Sequence, residues 1–141
     1  MCNIPSQCTH EEWLWTFNEN PEEYRVQSQE FIKNPQNAGR WLIFRNKEYV
    51  DSLWNIIRTQ TKLGKLGLAA EASSRAHADV YSKKGSHVIA VYTPDFRDKR
   101  QVLRVRENLR TLGVEGKIRY TKLNLAKQDG KDGTALTIYY V

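Results

Sequence analysis

Apolar and polar positions along this chain change period several times, and each change marks an element. In NKEYVDSLWNIIRTQTKLGKLG, Val50, Leu53, Trp54 and Ile57 recur at three- and four-residue spacing. One apolar stripe on a helix explains that period. Asn46 suits the cap of this helix and Gly64 its end. A second long helix is predicted in DFRDKRQVLRVRENLRTLGV, with Asp98 as cap, Val102, Val105, Leu109 and Leu112 as stripe, and Gly113 as terminator. Branched and aromatic runs predict strands at 39–46 (GRWLIFRN), 86–93 (SHVIAVYT), 117–124 and 134–141, and LGLAAEASS at 66–74 reads as a strand of small residues. The run at 86–93 is almost wholly apolar and is expected to be central, buried on both faces. Residues 75–85 read as a connection, and LAKQDGKDG as a polar loop.

The first third reads differently. In THEEWLWTFNENPEEY, Thr9 and Glu12 have the spacing of a capping box, which predicts a helix carrying Trp13 and Phe17. NPEEYRVQSQEFIKNP reads as another short helix, capped by Asn20 with Pro21 in its first turn. The expectation is a single domain in which residues 1–38 form a helical segment and 39–141 a sheet-and-helix core. Two long helices among several strands give an α+β class, with helices on one face of a mostly antiparallel sheet.

Composition narrows the function classes. A chain of 141 residues with four Trp, seven Tyr and four Phe can build a core without disulfide staples. The net charge of +6 favours polyanionic partners such as RNA, DNA or phosphorylated ligands, although solubility alone also explains it. Cys2 and Cys8 stand in an irregular leader and do not amount to a disulfide framework. With His10 they fall one short of a tetrahedral ligand set at an unusual Cys-x5-Cys spacing, so no metal site is expected. No stretch approaches the ~20 apolar residues of a membrane span. The start lacks a basic segment followed by an apolar run, so a cytoplasmic protein is expected, or a nuclear one in a eukaryote. Nucleophile elbows, phosphate-binding loops of the GxxxxGK[ST] type and cofactor motifs are absent from the sequence.

Three stretches carry a family resemblance: GRWLIF, VDSLWNIIRTQTKLGKLGLAAEASS and HVIAVYTPDFRDKRQVLRVRENLRTLG. Together they resemble the basophilic-leukaemia-expressed protein family, whose fold is like that of the messenger-RNA cap-binding initiation factor. The resemblance implies a curved antiparallel sheet with helices on its convex side. It also implies that basic residues around the hairpin within SSRAHADVYSKKGSHVIAVYT, namely Arg75, Lys83 and Lys84, are placed to contact phosphates. The tryptophan pair that holds the base in the cap-binding factor has no matching segment here, so Trp13 and Trp15 do not inherit that role.

The candidate residues each have two readings. Lys83, Lys84 and Gly85 form either an anion-binding turn or a solvated hairpin. His87 either serves a ligand from the concave face or is a strand-end histidine bonded to the backbone. Arg97 and Arg100, at the start of a basic helix that also holds Arg104, either extend a phosphate-binding field or form a solvated outer face. Trp41 and Trp54 belong to the apolar pattern of the core. Trp13, Trp15 and Phe17 lie outside that pattern and suit a protein partner. The leading reading is a non-enzymatic module that binds RNA or a phosphorylated nucleotide through a basic rim of Arg75, Lys83, Lys84, His87, Arg97 and Arg100. A protein-interaction adaptor is the alternative. A phosphate elimination with a lysine base, His87 as acid and Arg75 on the phosphate is the second alternative.

Overall fold

A computed structural model describes residues 2–81, 85–123 and 137–140. In chain order the elements are β1 (Trp13–Phe17), α1 (Pro21–Lys33), β2 (Gly39–Asn46), α2 (Lys47–Lys62), β3 (Ala69–Ser73), α3 (Arg75–Tyr81), β4 (Ser86–Thr93), α4 (Lys99–Thr111), β5 (Arg119–Lys122) and β6 (Thr137–Tyr140). The strands form one sheet in the order β1-β3-β4-β2-β5-β6, and each neighbouring pair is antiparallel. The α+β class follows, and β4 is central as its apolar run predicts, but it is not buried on both faces: Val88 and Tyr92, on the side away from the helices, are half-buried.

The stripes read from the sequence make the core. Val50, Trp54 and Ile57 of α2 and Val102, Val105 and Leu109 of α4 cluster with Trp41 and Ile43 of β2, Ile89 and Val91 of β4, and Tyr120 of β5. Each such side chain withdrawn from water contributes about 1.5–3 kcal/mol. The Trp41 indole N–H donates to the Val102 carbonyl at 3.0 Å, so its polar atom is satisfied inside the core. Caps fall where the sequence puts them: Asn20 accepts from the Glu23 N–H and Asp98 from the Gln101 N–H, each at 3.2 Å. Asn46 stands at the cap position of α2 without a side-chain bond. Gly64 and Gly113 end their helices at φ 78° and 96°, a region that suits glycine.

Three expectations are corrected. The capping-box helix at the amino end does not form; residues 13–17 are a strand paired with β3, Trp13 opposite Ser73 and Phe17 opposite Ala69. Leu14 and Thr16 are buried while Trp15 and Phe17 are exposed. That is a period of two, and pairing along β3 outweighs the local cap signal. The sheet therefore reaches back across residue 39 into the segment read as helical. Residues 75–81 are helical where a plain connection was expected. The leader is docked: Cys2 and Cys8 form a disulfide, Cys8 is buried, and the Ser6 N–H donates to the Asp51 carboxylate at 2.9 Å. The loop read at LAKQDGKDG lies outside the described residues, apart from which no described helix is long and apolar enough to cross a membrane.

Candidate functional site

Strand alternation sends one set of side chains to the helices and the other to the opposite, open face. Registers place Phe17, Ala69, Tyr92, Arg40 and Thr121 side by side across five strands on that face. The next row is Trp15, Glu71, Ala90, Leu42 and Arg119. At about 4.8 Å between strands, each row spans about 19 Å. The two rows form a strip that is aromatic at the β1 end and cationic at the β5 end.

The aromatic end is a tier of rings. Trp15 stacks near Phe17, centroids 6.0 Å apart with planes at 8°, and near Tyr92 at 5.7 Å and 25°. Tyr24 of α1 meets Phe17 edge-on at 6.4 Å. Trp15 is 49% and Phe17 47% exposed, unusual for such large side chains. Ala69, between Phe17 and Tyr92, is too small to fill its place in the row. A cavity of about 550 Å³ opens there, walled by Trp15, Phe17, Tyr24, Phe31 and Tyr92.

Beside the rings the strip turns polar. Arg40 donates to the Tyr92 hydroxyl at 3.0 Å and lies 3.5 Å from the Glu71 carboxylate, and the Tyr92 hydroxyl donates to Glu71. Burial pushes the Glu71 carboxyl above its usual range, partly offset by the Tyr92 bond and by the Arg40 charge. Burial, reinforced by Glu71, also pushes the Tyr92 phenol up, so it remains a donor at neutral pH. The Arg119 guanidinium lies over the Phe44 ring, 5.8 Å from its centroid. Among the described residues, Arg40 Nε, Arg119 Nε and Thr121 Oγ1 are buried atoms without a hydrogen-bond partner. These atoms are closed to solvent, so what a ligand meets is the exposed part of the half-buried Arg40 and Arg119 side chains.

Among the described residues, the basic side chains singled out in the sequence are not gathered in one place. Arg75 opens α3, exposed, 3.7 Å from Asp79. His87 alternates in phase with Ile89 and Val91, so it points to the helix side and not to the open face. It is 2% exposed, and its Nδ1 lies 2.7 Å from the Ser73 carbonyl oxygen, the backbone-bonded alternative of the two readings. Arg75 and His87 do line one cavity of about 410 Å³, but Glu48 and Asp79 line it too. Lys83 and Lys84 lie outside the described residues. Arg97 is held by both oxygens of Asp95, at 3.0 and 3.2 Å, and these bonds keep the Asp95 carboxyl below its usual range. Arg97 and Arg100 follow the far end of β4, about 20 Å from His87 at 3.3 Å per residue. Trp13 leans on His77 of α3, ring centroids 4.4 Å apart, where burial lowers the His77 pKa.

The polar residues Arg40, Glu71, Tyr92, Arg119 and Thr121 of the strip were not read from the sequence as functional. A signal existed for Glu71, a lone carboxylate in the small-residue run AAEASS. Arg40 and Tyr92 needed the register, because they are far apart in the chain and adjacent only across β2 and β4.

The sequence profile of the basophilic leukemia-expressed protein Bles03 family matches residues 34–122, more than half of the chain. The chain belongs to the Bles03 family. That match covers β2 to β5 and so contains Arg40, Glu71, Tyr92 and Arg119 of the strip, whereas Trp15 and Phe17 precede it. Among the solved structures similar to this Bles03-family chain are eIF4E proteins. A schistosome eIF4E complexed with m7GpppA and 4E-BP aligns with a TM-score of 0.54 at 17% identity, covering 74% of this chain and 59% of that one. A C. elegans eIF4E-3, in complex with the 4E-binding protein Mextli and cap analog, aligns with a TM-score of 0.53 at 18% identity, covering 78% and 60%. At such identities the likeness is one of fold, and the chain spans about three fifths of the length of these structures. No curated protein matches the sequence significantly.

Proposed function

We propose that this Bles03-family protein is a non-enzymatic binding module for RNA or a phosphorylated nucleotide, with the open-face strip as its site. The observation that carries the reading is the layout of the strip. An aromatic slot at Ala69 lies in the same row as Arg40, with Arg119 one row on. A base stacks on Trp15, Phe17 or Tyr92, and the phosphates extend along the row toward the two arginines. Base stacking contributes about 1–3 kcal/mol per ring, and the arginines release counterions from the phosphates. The basic residues Arg97 and Arg100 add to the general field that draws an anion in. The eIF4E structures that share the fold hold cap nucleotides, which agrees with this reading.

Tryptophan fluorescence during titration with GTP, ATP and a short RNA tests it. Trp15→Ala is expected to weaken binding about 5- to 150-fold, the range of one lost stack. Arg119→Ala is expected to flatten the dependence of affinity on salt. Binding that neither substitution changes, or no binding by the wild-type chain, overturns the proposal.

One observation favours a second reading. The slot between β1 and α1 is walled by apolar groups, and Ile32 at its rim is 75% exposed. An apolar side chain of a protein partner fits that chemistry, as the adaptor alternative requires. A pull-down lost in Trp15→Ala, from a protein that binds no nucleotide, selects it.

A further inference from the structure

At the β1 edge of the sheet, where Cys2 lines a cavity with Trp15 and Phe17, the docked leader places three soft or borderline ligands together. One sulfur or ring-nitrogen atom from each of Cys2, Cys8 and His10 lies within 4.8 Å of the others. The Cys2 sulfur is 3.4 Å from His10 Nε2. Around a tetrahedral zinc, with Zn–S about 2.3 Å and Zn–N about 2.0 Å, a sulfur and a nitrogen stand about 3.5 Å apart. His10 thus already stands at ligand-to-ligand distance from Cys2. Two sulfurs on one such zinc stand about 3.8 Å apart. Side chains whose Cα atoms are 5.7 Å apart, as those of Cys2 and Cys8 are, can span that separation.

The loop that presents these groups does not depend on the sulfur–sulfur bond. A 3₁₀ turn at Pro5–Gln7 folds the chain back, with the Gln7 N–H donating to the Ile4 carbonyl at 3.1 Å. Asp51 of α2 accepts from both the N–H and the hydroxyl of Ser6. The Cys8 carbonyl accepts from the Ala76 N–H of α3 at 3.1 Å. These bonds anchor residues 4–8, and with them Cys8, independently of the sulfur–sulfur bond. The sequence spacing hid the arrangement, because the fold and not the interval between cysteines makes it.

We propose that reduction of Cys2–Cys8 turns the leader into a binding site for a zinc-class divalent cation, ligated by Cys2, Cys8 and His10. Two molecules of a monothiol reduce the disulfide, yielding both cysteine thiols and the oxidised disulfide of the reductant. Metal binding then displaces one proton from each thiol, while His10 ligates through an unprotonated ring nitrogen. The fourth position falls to solvent water or to Glu11, whose carboxylate lies 3.9 Å from His10 Nε2. The disulfide and the metal are alternative states of the same two sulfurs, so loading is gated by redox state.

Cobalt(II) reports the site directly, since tetrahedral thiolate ligation gives intense visible and charge-transfer bands. The whole chain, reduced with a phosphine, freed of it and titrated anaerobically, is expected to bind one cobalt and release two protons. Oxidised protein is expected to give no such spectrum. Cys8 lies in the core, so the test rests on the more exposed ligands. Cys2→Ser is expected to remove the charge-transfer band, and His10→Ala to weaken affinity at least about tenfold. Absence of a tetrahedral cobalt spectrum in the reduced chain overturns the proposal. So does equal binding by oxidised protein, by Cys2→Ser or by His10→Ala.

Discussion

The two faces of the sheet are built from the same kinds of residue and end in opposite states. On the helix side Trp41, Trp54 and Tyr120 are 0%, 1% and 0% exposed. On the open side Trp15, Phe17 and Phe44 are 49%, 47% and 51% exposed. Ring size does not separate the two sets. What separates them is whether an apolar helix stripe lies opposite, and the stripes of α2 and α4 both lie on one side. The helix side is therefore largely apolar; the Trp41 N–H is satisfied by a backbone carbonyl, and the few buried polar groups there include His87 and Thr93. The open side mixes rings with Arg40, Glu71 and Arg119. Such a mixture is poor packing material and good recognition material, because a buried charged group gains from a partner that an apolar core cannot supply.

The sharpest way to break this comparison is to truncate one tryptophan on each face. Trp54→Ala is expected to destabilise the fold by about 3–5 kcal/mol, the range for a large buried aromatic. Trp15→Ala is expected to cost less, about 0.5–1.5 kcal/mol for its lost ring contacts, while it weakens ligand binding. Urea unfolding midpoints at matched m-values measure both. Equal losses at the two positions would mean that the open face is a second core.

A smaller effect is expected where β3 is entered. A Cβ on Gly67 would meet the Tyr92 carbonyl oxygen at 2.0 Å, and that oxygen already accepts the Leu68 N–H at 3.1 Å. Both groups are backbone and cannot swing aside. Gly67→Ala is therefore expected to cost about 1–3 kcal/mol, within the range for overpacking. The shift falls on the strand that carries Tyr92, so thermal unfolding and nucleotide affinity should worsen together. Lost stability with unchanged affinity would uncouple Tyr92 from the site.

The sequence was legible where one face of an element is decided locally. Val50, Trp54 and Ile57 announce α2 by their spacing alone, and Asn20 and Asp98 cap helices because their side chains reach an N–H three residues on. Reading failed where the decision is made by a distant strand. The segment Trp13–Phe17 carries a cap signal and a period of two at once, and only its pairing with Ala69–Ser73 selects between them. The strip failed for the same reason. Arg40, Tyr92 and Glu71 meet only through the registers of β2, β4 and β3, which their spacing along the chain does not reveal. The spacing of Cys2, Cys8 and His10 argues against a ligand set, because separation along the chain says nothing about a loop pinned by Asp51.

The smallest effect discriminates most finely between an open face that is wet and one that is partly dry. Burial raises the Glu71 carboxyl above its ordinary value of 4.5, and this outweighs the lowering by Tyr92 and Arg40. Between the ordinary and the raised pKa the folded state holds more protons than the unfolded one. Stability then falls as pH rises through that window and levels off above it. Glu71→Gln keeps an acceptor for the Tyr92 hydroxyl and removes the titration. The stability of the wild type relative to Glu71→Gln should thus decline as pH rises from the ordinary carboxylate value, read from urea unfolding across a pH series. Anion binding should share the sign: a protonated Glu71 leaves the Arg40 charge uncompensated, so wild-type affinity for a phosphorylated ligand should strengthen toward lower pH and the Gln variant should lack that component. A difference that is flat, or that rises with pH, would show that water reaches Glu71 freely, and the strip would then be an ordinary solvated surface beside a single core.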